Sequence, residues 1–395
     1  MKITAVHIFE VNGVMGFPGE FWEERLIRPV DIYPEHKNQG AGWLPRIDDG
    51  HYAMKSLFCQ VETDEGVTGL AGPTTMGQAY IILHQLAPML IGADPRATER
   101  IWDRLYRSMV HGRKGESMMA LSVVDCALWD LKGKWAGVPV YRLLGGPTRD
   151  KIPAYASMLG YSLEPELVSR RAKTFAQHGY KAQKWFFREG PTDGYDGVRK
   201  NVALVRNIRE AVGSDVDIML DCWMSWDVPY TIQMADRLVD FQPRWLEEPV
   251  LPDKIDQYAE IRRRVKIPIS GGEHEYTRWG IKALITAGAV DVLQPDIYWA
   301  GGMTEMLKIC ALASAHDLPV IPHGHSSPAS MHLIASQPVT TCPILEYLIK
   351  WNEIHQFFLK FPIQPVNGFV ELPERPGLGM ELDEAKIESR EEISI

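Results

Sequence analysis

The hydrophobic pattern of the chain changes period once. Near the start, "KITAVHIFEV" (2–11) and "SLFCQVETDEGVTGLA" (56–71) alternate apolar and polar positions, the second around a turn at "DEG". A period of two predicts half-buried antiparallel strands. Between them, residues 13–50 are rich in Pro, Gly and aromatics, including Phe17, Phe21, Trp22 and Trp43. A loop of that length in a compact domain is usually functional, and a lid over a site is the expectation, with packing of its aromatics against a rim as the alternative. "SMMALSVVDCALWDLKGKWAG" then reads as a helix ending at Gly137, with Pro139 beyond it.

From about residue 151, short apolar runs alternate with amphipathic helical stretches. The runs are "KIPAYAS", "YKAQKWF", "VDIML", "RWLEE", "IPISGGE", "DVLQPD", "PVIPH" and "PILE". Eight β/α units of this kind predict a closed parallel barrel. An open doubly wound sheet fits less well, because no Gly-rich dinucleotide turn follows the first strand. The fold class expected is therefore α/β, a modified (β/α)8-type TIM barrel with an α+β capping domain formed by the N-terminal part and the C-terminal tail. The boundaries expected are 1–125 for the cap, 126–360 for the barrel and 361–395 for a segment returning to the cap, strand-like at "FVEL".

Charge and cysteine usage narrow the function classes. The formal net charge is −9 over 395 residues, with no basic run beyond "RRR" at 262–264. Nucleic acid and anionic membrane surfaces are thus poor partners. An acidic small molecule is not excluded, since a local cation overrules the global sign. No apolar run approaches the ~20 residues of a membrane span. The five cysteines are scattered without a CxxC pair, and the start does not read as a signal peptide. A reduced, cytoplasmic protein is expected.

The candidate chemistry lies at the strand ends, which converge on one mouth in a barrel. Asp221, Glu247 and Glu273 follow strands three, four and five at even spacing. Each alone reads most simply as a helix cap or a salt bridge. Three carboxylates sharing one cavity must take up protons or meet a cation, and hard oxygen ligands suit Mg²⁺. Glu248, next to Glu247, is expected to face away by strand alternation. Strands six and seven end at Asp296 and His323. A carboxylate hydrogen-bonded to one ring nitrogen makes the other more basic, so His323 is a candidate general base. Glu346 ends strand eight, where it can orient a substrate or donate a proton. On strand two, Lys184 and Phe186 share the face toward the mouth, with Trp185 outward. Lys184 offers positive charge, whereas Phe186 offers no proton chemistry, so acid/base work falls to the His323 side.

An acid at each of strands three to five, with an Asp/His dyad on six and seven, resembles the enolase superfamily, mandelate racemase subgroup. "DCWMSWDVPY", "WLEEP", "GEH", "QPDIYWAGG" and "PHGHSS" look like the sugar-acid dehydratases of the L-rhamnonate dehydratase type. The resemblance implies metal ligands Asp221, Glu247 and Glu273, and a catalytic dyad of His323 with Asp296. It also implies a role for Glu346 at the strand-eight position, a substrate grip from Arg46 in the capping loop, and substrate contact from His274. The superfamily is known for a Lys or His base working with Mg²⁺ on an ene-diolate. Its racemases and cycloisomerases carry KxK on strand two, where this chain has "KWF". The implied activity is Mg²⁺-dependent dehydration of an aldonate such as L-rhamnonate or L-lyxonate to a 2-keto-3-deoxy acid, with His323 as both base and acid. A racemase or cycloisomerase of the same superfamily, or a non-catalytic sugar-acid binding protein, is the alternative. A homo-oligomer, dimer or octamer, is implied as well.

Overall fold

The computed structural model describes residues 1–41 and 44–394. Trp43, one of the loop aromatics, lies outside the described residues. The strands among the described residues, in chain order, are β1 (Ile3–Gly16), β2 (Arg46–Asp48), β3 (His51–Thr63), β4 (Thr68–Thr74), β5 (Lys151–Ser157), β6 (Ala182–Phe186), β7 (Asp217–Asp221), β8 (Trp245–Glu247), β9 (Ile269–Gly271), β10 (Val292–Leu293), β11 (Leu345–Leu348), β12 (Phe369–Glu371) and β13 (Ser389–Glu392).

The first four strands and β13 form an antiparallel sheet, in which β13 pairs with β1 and β1 with β3. The long alternating stretches therefore become the strands that their period predicts. The remaining strands make a curled parallel ladder in the order β10-β9-β8-β7-β6-β5-β11, with β12 added antiparallel to β5. The tail thus divides between the two sheets, "FVEL" joining the barrel and Ser389–Glu392 the cap.

Eight parallel segments were expected and seven form ladder strands. The missing one, "PVIPH", is reduced to a bridge between Leu293 and Val320, and Val320 N–H donates to Thr341 O at 2.7 Å. Pro319 and Pro322 explain the loss, since neither has an N–H to give a ladder.

Helix Glu116–Ala136 is buried along most of its length, including Asp125, Cys126 and Asp130. It runs unbroken across position 125, where a boundary was expected. A helix buried on every side has no polar face to give water. Its acids instead tie neighbours to it. Asp125 accepts from the Thr304 N–H and hydroxyl at 2.9 and 2.6 Å, and Asp130 accepts from the N–H of Leu70 and Leu378 at 2.8 and 2.7 Å.

Residues 17–37 are fastened over the barrel. Phe21 is fully buried, and Ile27 N–H donates to Phe187 O at 2.8 Å. Arg25 holds Asp31 through both carboxylate oxygens, at 2.6 and 3.1 Å, and donates to the carbonyls of Leu26, His36, Lys37 and Gln39. The buried Lys350 ammonium bonds the Phe21 and Gly160 carbonyls. This part of the long loop is a packed strap, as the rim-packing alternative holds for Phe21 and Trp22.

Candidate active site

Period-two alternation builds the site in two layers inside the barrel. The lower layer is an apolar floor of Tyr155, Ala182, Met219, Trp245, Ile321 and Ile344. Two residues further along the strands, Lys184, Asp221, Glu247 and Glu346 form a polar layer above it, all buried. Trp185 faces the opposite way, into the core shared with the helices.

Asp221 does not cap the following helix. That task belongs to Asp227, which accepts the Tyr230 N–H at 2.8 Å. One Asp221 oxygen accepts from Trp223 N–H at 3.0 Å, and the other lies 3.5 Å from the Lys184 ammonium. Lys184 also pairs with Glu247, and with Glu346 at 2.7 Å. It therefore sits in a cage of three carboxylates rather than reaching freely into the mouth. Burial works against its charge, but Glu247, Glu346 and Asp221 outweigh it and hold the ammonium well above its usual range. Glu346 is held below the ordinary carboxylate range, with Lys184 and His323 overcoming burial. Its other oxygen accepts Gly324 N–H at 2.9 Å.

The expected metal trio is only partly brought together as free ligands. Glu247 is engaged on both oxygens, by Lys184 on one and by Trp245 Nε1 and Gln294 Nε2 on the other, at 2.9 and 2.8 Å. Glu248 does not face away. Its backbone turns to φ 42, and the carboxylate meets His274 Nδ1 at 2.8 Å. Strand alternation fails there because β8 has already ended at Glu247. Glu248, Glu273 and His274 each offer a ligand atom within 4.8 Å of the others. Burial opposes the charge on His274, but Glu248 and Glu273 raise it to about 9, which favours its pairing with these carboxylates.

Burial and the neighbouring Glu248 push Glu273 up to about 7, despite His323 and His274, and burial, Glu247 and Glu273 push Asp221 well up. Six buried carboxylates (Asp221, Glu247, Glu248, Glu273, Asp296 and Glu346) face one ammonium and two imidazoles. Even with both imidazoles charged, negative charge is in excess. An oxygen-rich, charge-deficient cavity of this kind fits a hard divalent cation.

His323 stands where the sequence put it. Its Nδ1 bonds Asp296 Oδ2 at 2.9 Å, and Nε2 points to Glu273 Oε2 at 3.6 Å. Asp296 is itself oriented by Tyr298 N–H at 2.7 Å. Burial disfavours the imidazolium, yet Glu273, Asp296 and Glu346 raise His323 to about 10. Phe186 is fully buried and pairs in register with Asp221 across the ladder.

Arg46 is not brought to this cluster. It lies on the exposed strand β2, bonded to Glu20 at 2.6 Å and to Asp49. Residues that sequence reasoning missed include Gln294, which bonds Glu247, and Trp299, whose ring lies 5.0 Å from His323 and 5.5 Å from His274. "QPDIYWAGG" contained both, but nothing in its spacing distinguished them. Trp223 and Met224 adopt positive φ (36 and 63) just past Asp221. Non-glycine strain of that kind collects at functional sites.

A curled parallel sheet closed by helices, under a separate antiparallel cap, with acids at consecutive strand ends, defines an enolase-type protein. The chain belongs to that family: residues 167–386 match the "Enolase C-terminal domain-like" family and residues 52–145 the "Mandelate racemase / muconate lactonizing enzyme, N-terminal domain". The chain is 36% identical to an L-rhamnonate dehydratase of Saccharopolyspora erythraea over 97% of both chains. It is 32% identical to rhamnonate dehydratase from Gibberella zeae complexed with Mg, covering 98% of this chain and 95% of that one at a TM-score of 0.84. The 3,6-anhydro-D-galactonate cycloisomerase from Zobellia galactanivorans is 28% identical over 98% of this chain and all of that one (100%), TM-score 0.79.

Proposed function

We propose that this protein is a Mg²⁺-dependent sugar-acid dehydratase, converting an aldonate of the L-rhamnonate type to a 2-keto-3-deoxy acid. The observation that carries the reading is the asymmetry of the mouth. An Asp-oriented imidazole stands on one side, and Phe186 occupies the strand-two position where a second base would be. Asp221, Glu247 and Glu273 are the proposed metal ligands. A cation held there would supply Lewis acidity for the charge developing on the substrate carboxylate.

The chain's own residues do the rest. Lys184, paired with Asp221, Glu247 and Glu346, would supply positive charge toward the second oxygen of the substrate carboxylate. A cation held by Glu273 would offset one of the three carboxylates that favour the His323 imidazolium, and so favour the neutral ring that acts as base. His323 takes the C2 proton through Nε2 while Asp296 fixes the tautomer. The imidazolium then protonates the departing C3 hydroxyl on the same face, and the enol tautomerises to the keto acid. Glu346, bonded to Lys184 and Gly324, orients the ammonium. His274 is proposed to contact substrate from its pair with Glu248, and Arg46 would need the β2 loop to rearrange.

The test is a screen of magnesium-loaded protein against aldonic and aldaric acids. Release of a semicarbazide-reactive keto acid supports dehydration. C2 deuterium exchange without keto acid would instead support a racemase. The five cysteines are free and buried, and among the described residues no helix is long and apolar enough to cross a membrane. We propose a cytoplasmic setting and a homo-oligomer, dimer or octamer. A monomer mass by light scattering would remove the oligomer.

A further inference from the structure

A cavity of about 770 Å³ lies between the cap and the barrel mouth, within the size of small-molecule pockets. Leu57, Met119 and Val123 make much of one wall, and Trp299, Trp351 and His325 the barrel side. Trp299 joins this cavity to the dyad, its ring lying 5.0 Å from His323 and 5.4 Å from His325. The cavity is therefore the space beside Trp299 open to the rest of a ligand whose reacting carbon stands at His323.

The charged groups of the lining are few. Lys55 is paired with Glu10 at 2.9 Å, and Glu116 and Glu388 add negative charge. Among the described residues, no unpaired cation lines the cavity. A second carboxylate at the far end of a diacid would meet like charge and apolar walls.

Tyr298, His325 and His355 are polar groups on the barrel side. His325 lines the cavity, and its Nδ1 is buried without a hydrogen-bond partner. Its ring lies 6.3 Å from that of His323 and nearly parallel to it, at 21°. His355 is 4.0 Å away, ring to ring, and its Nδ1–H is taken by the His325 carbonyl at 3.1 Å. Burial, reinforced by His323 and opposed by Asp296, lowers the His325 imidazole to about 4, so it is neutral at working pH. A neutral imidazole has one donor and one acceptor, so it can both give a hydrogen bond to a hydroxyl and take one from it.

We propose that His325 is a specificity-determining residue: it hydrogen-bonds a hydroxyl beyond C3 of a monocarboxylic sugar acid whose tail lies in the apolar cavity. The inference rests on the dehydratase reading above. It assigns His325 no part in proton transfer at C2.

The test uses magnesium-loaded wild type, His325→Phe and His325→Asn. Substrates are the aldonate that wild type dehydrates best, its deoxy analogues each lacking one hydroxyl beyond C3, and the matching aldarate. For one analogue, wild type is expected to lose about tenfold in kcat/KM, mostly through KM, the size of one neutral hydrogen bond. His325→Phe should lose about as much on the parent and nothing further on that analogue, with His325→Asn recovering part. The aldarate should be poorer than the aldonate for wild type. Equal losses for His325→Phe on the parent and every analogue, or no loss on any, would overturn the proposal. So would an aldarate turned over as well as the aldonate. If His325→Phe does not fold, the same analogue series with His325→Asn decides. Wild type inert on every acid would instead remove the dehydratase reading, and the proposal with it.

Discussion

At the scale of the residue, the site is governed by how many carboxylates one buried layer holds. His323 is placed beside an orienting acid, Asp296, with its free nitrogen toward Glu273. His323→Asn should lower kcat by about 10²–10⁴-fold or more. It should also abolish C2 deuterium exchange, followed by proton NMR in heavy water, and persistent exchange would point to another base. Glu273 gives the pH dependence. Raised to about 7 by burial and by Glu248, it carries a proton below neutrality that a cation must displace. Magnesium affinity should therefore rise as pH increases through about 7, with proton release detectable by calorimetry in two buffers. A flat affinity between pH 6 and about 8 would contradict this. The competing ligand sets are separable in the same instrument. Glu247→Gln should abolish magnesium binding and Glu248→Gln should leave most of it, and the reverse order would move the metal to the Glu248 set.

At the scale of the element, the strap at 17–37 is held by charge buried against carbonyls. Arg25→Met removes one partner of Asp31 and one donor from each of four carbonyls, of which His36 keeps Arg28 and Lys37 keeps Arg188. Breaking a buried pair costs about 3–5 kcal/mol, here partly offset by Arg28 and Arg188, which also reach Asp31. The expected result is faster limited proteolysis within the strap and a higher KM, with a smaller change in melting temperature. An unchanged cleavage rate would show that the packing of Phe21 and Trp22 suffices. The strap was legible only as a Pro- and aromatic-rich stretch. Its ion pairs join residues whose proximity depends on how the loop returns on itself, and periodicity carries no such information.

At the scale of the whole molecule, helix Glu116–Ala136 belongs to both units through Asp125 and Asp130. Cap and barrel should unfold together, as one calorimetric transition that magnesium raises and a chelator lowers. Saturation at a hundred times the dissociation constant is worth about 2.7 kcal/mol, a shift of a few degrees in a chain of this size. Two resolved transitions would mean that the shared helix does not couple the units.

The sequence by itself determined the two sheets, the parallel ladder and the positions of Asp221, Glu247, Glu273, Asp296, His323 and Glu346, because strand period and strand ends are local properties. It also located Phe186, whose missing base shapes the proposed reaction. Only the tertiary structure decided that Lys184 is caged by three carboxylates, that Glu248 turns inward to His274, that Arg46 lies outside and that Val320 makes a bridge instead of a strand. Those outcomes turn on charge balance, backbone turns and proline placement among residues far apart in the chain, so they arise only when the barrel closes.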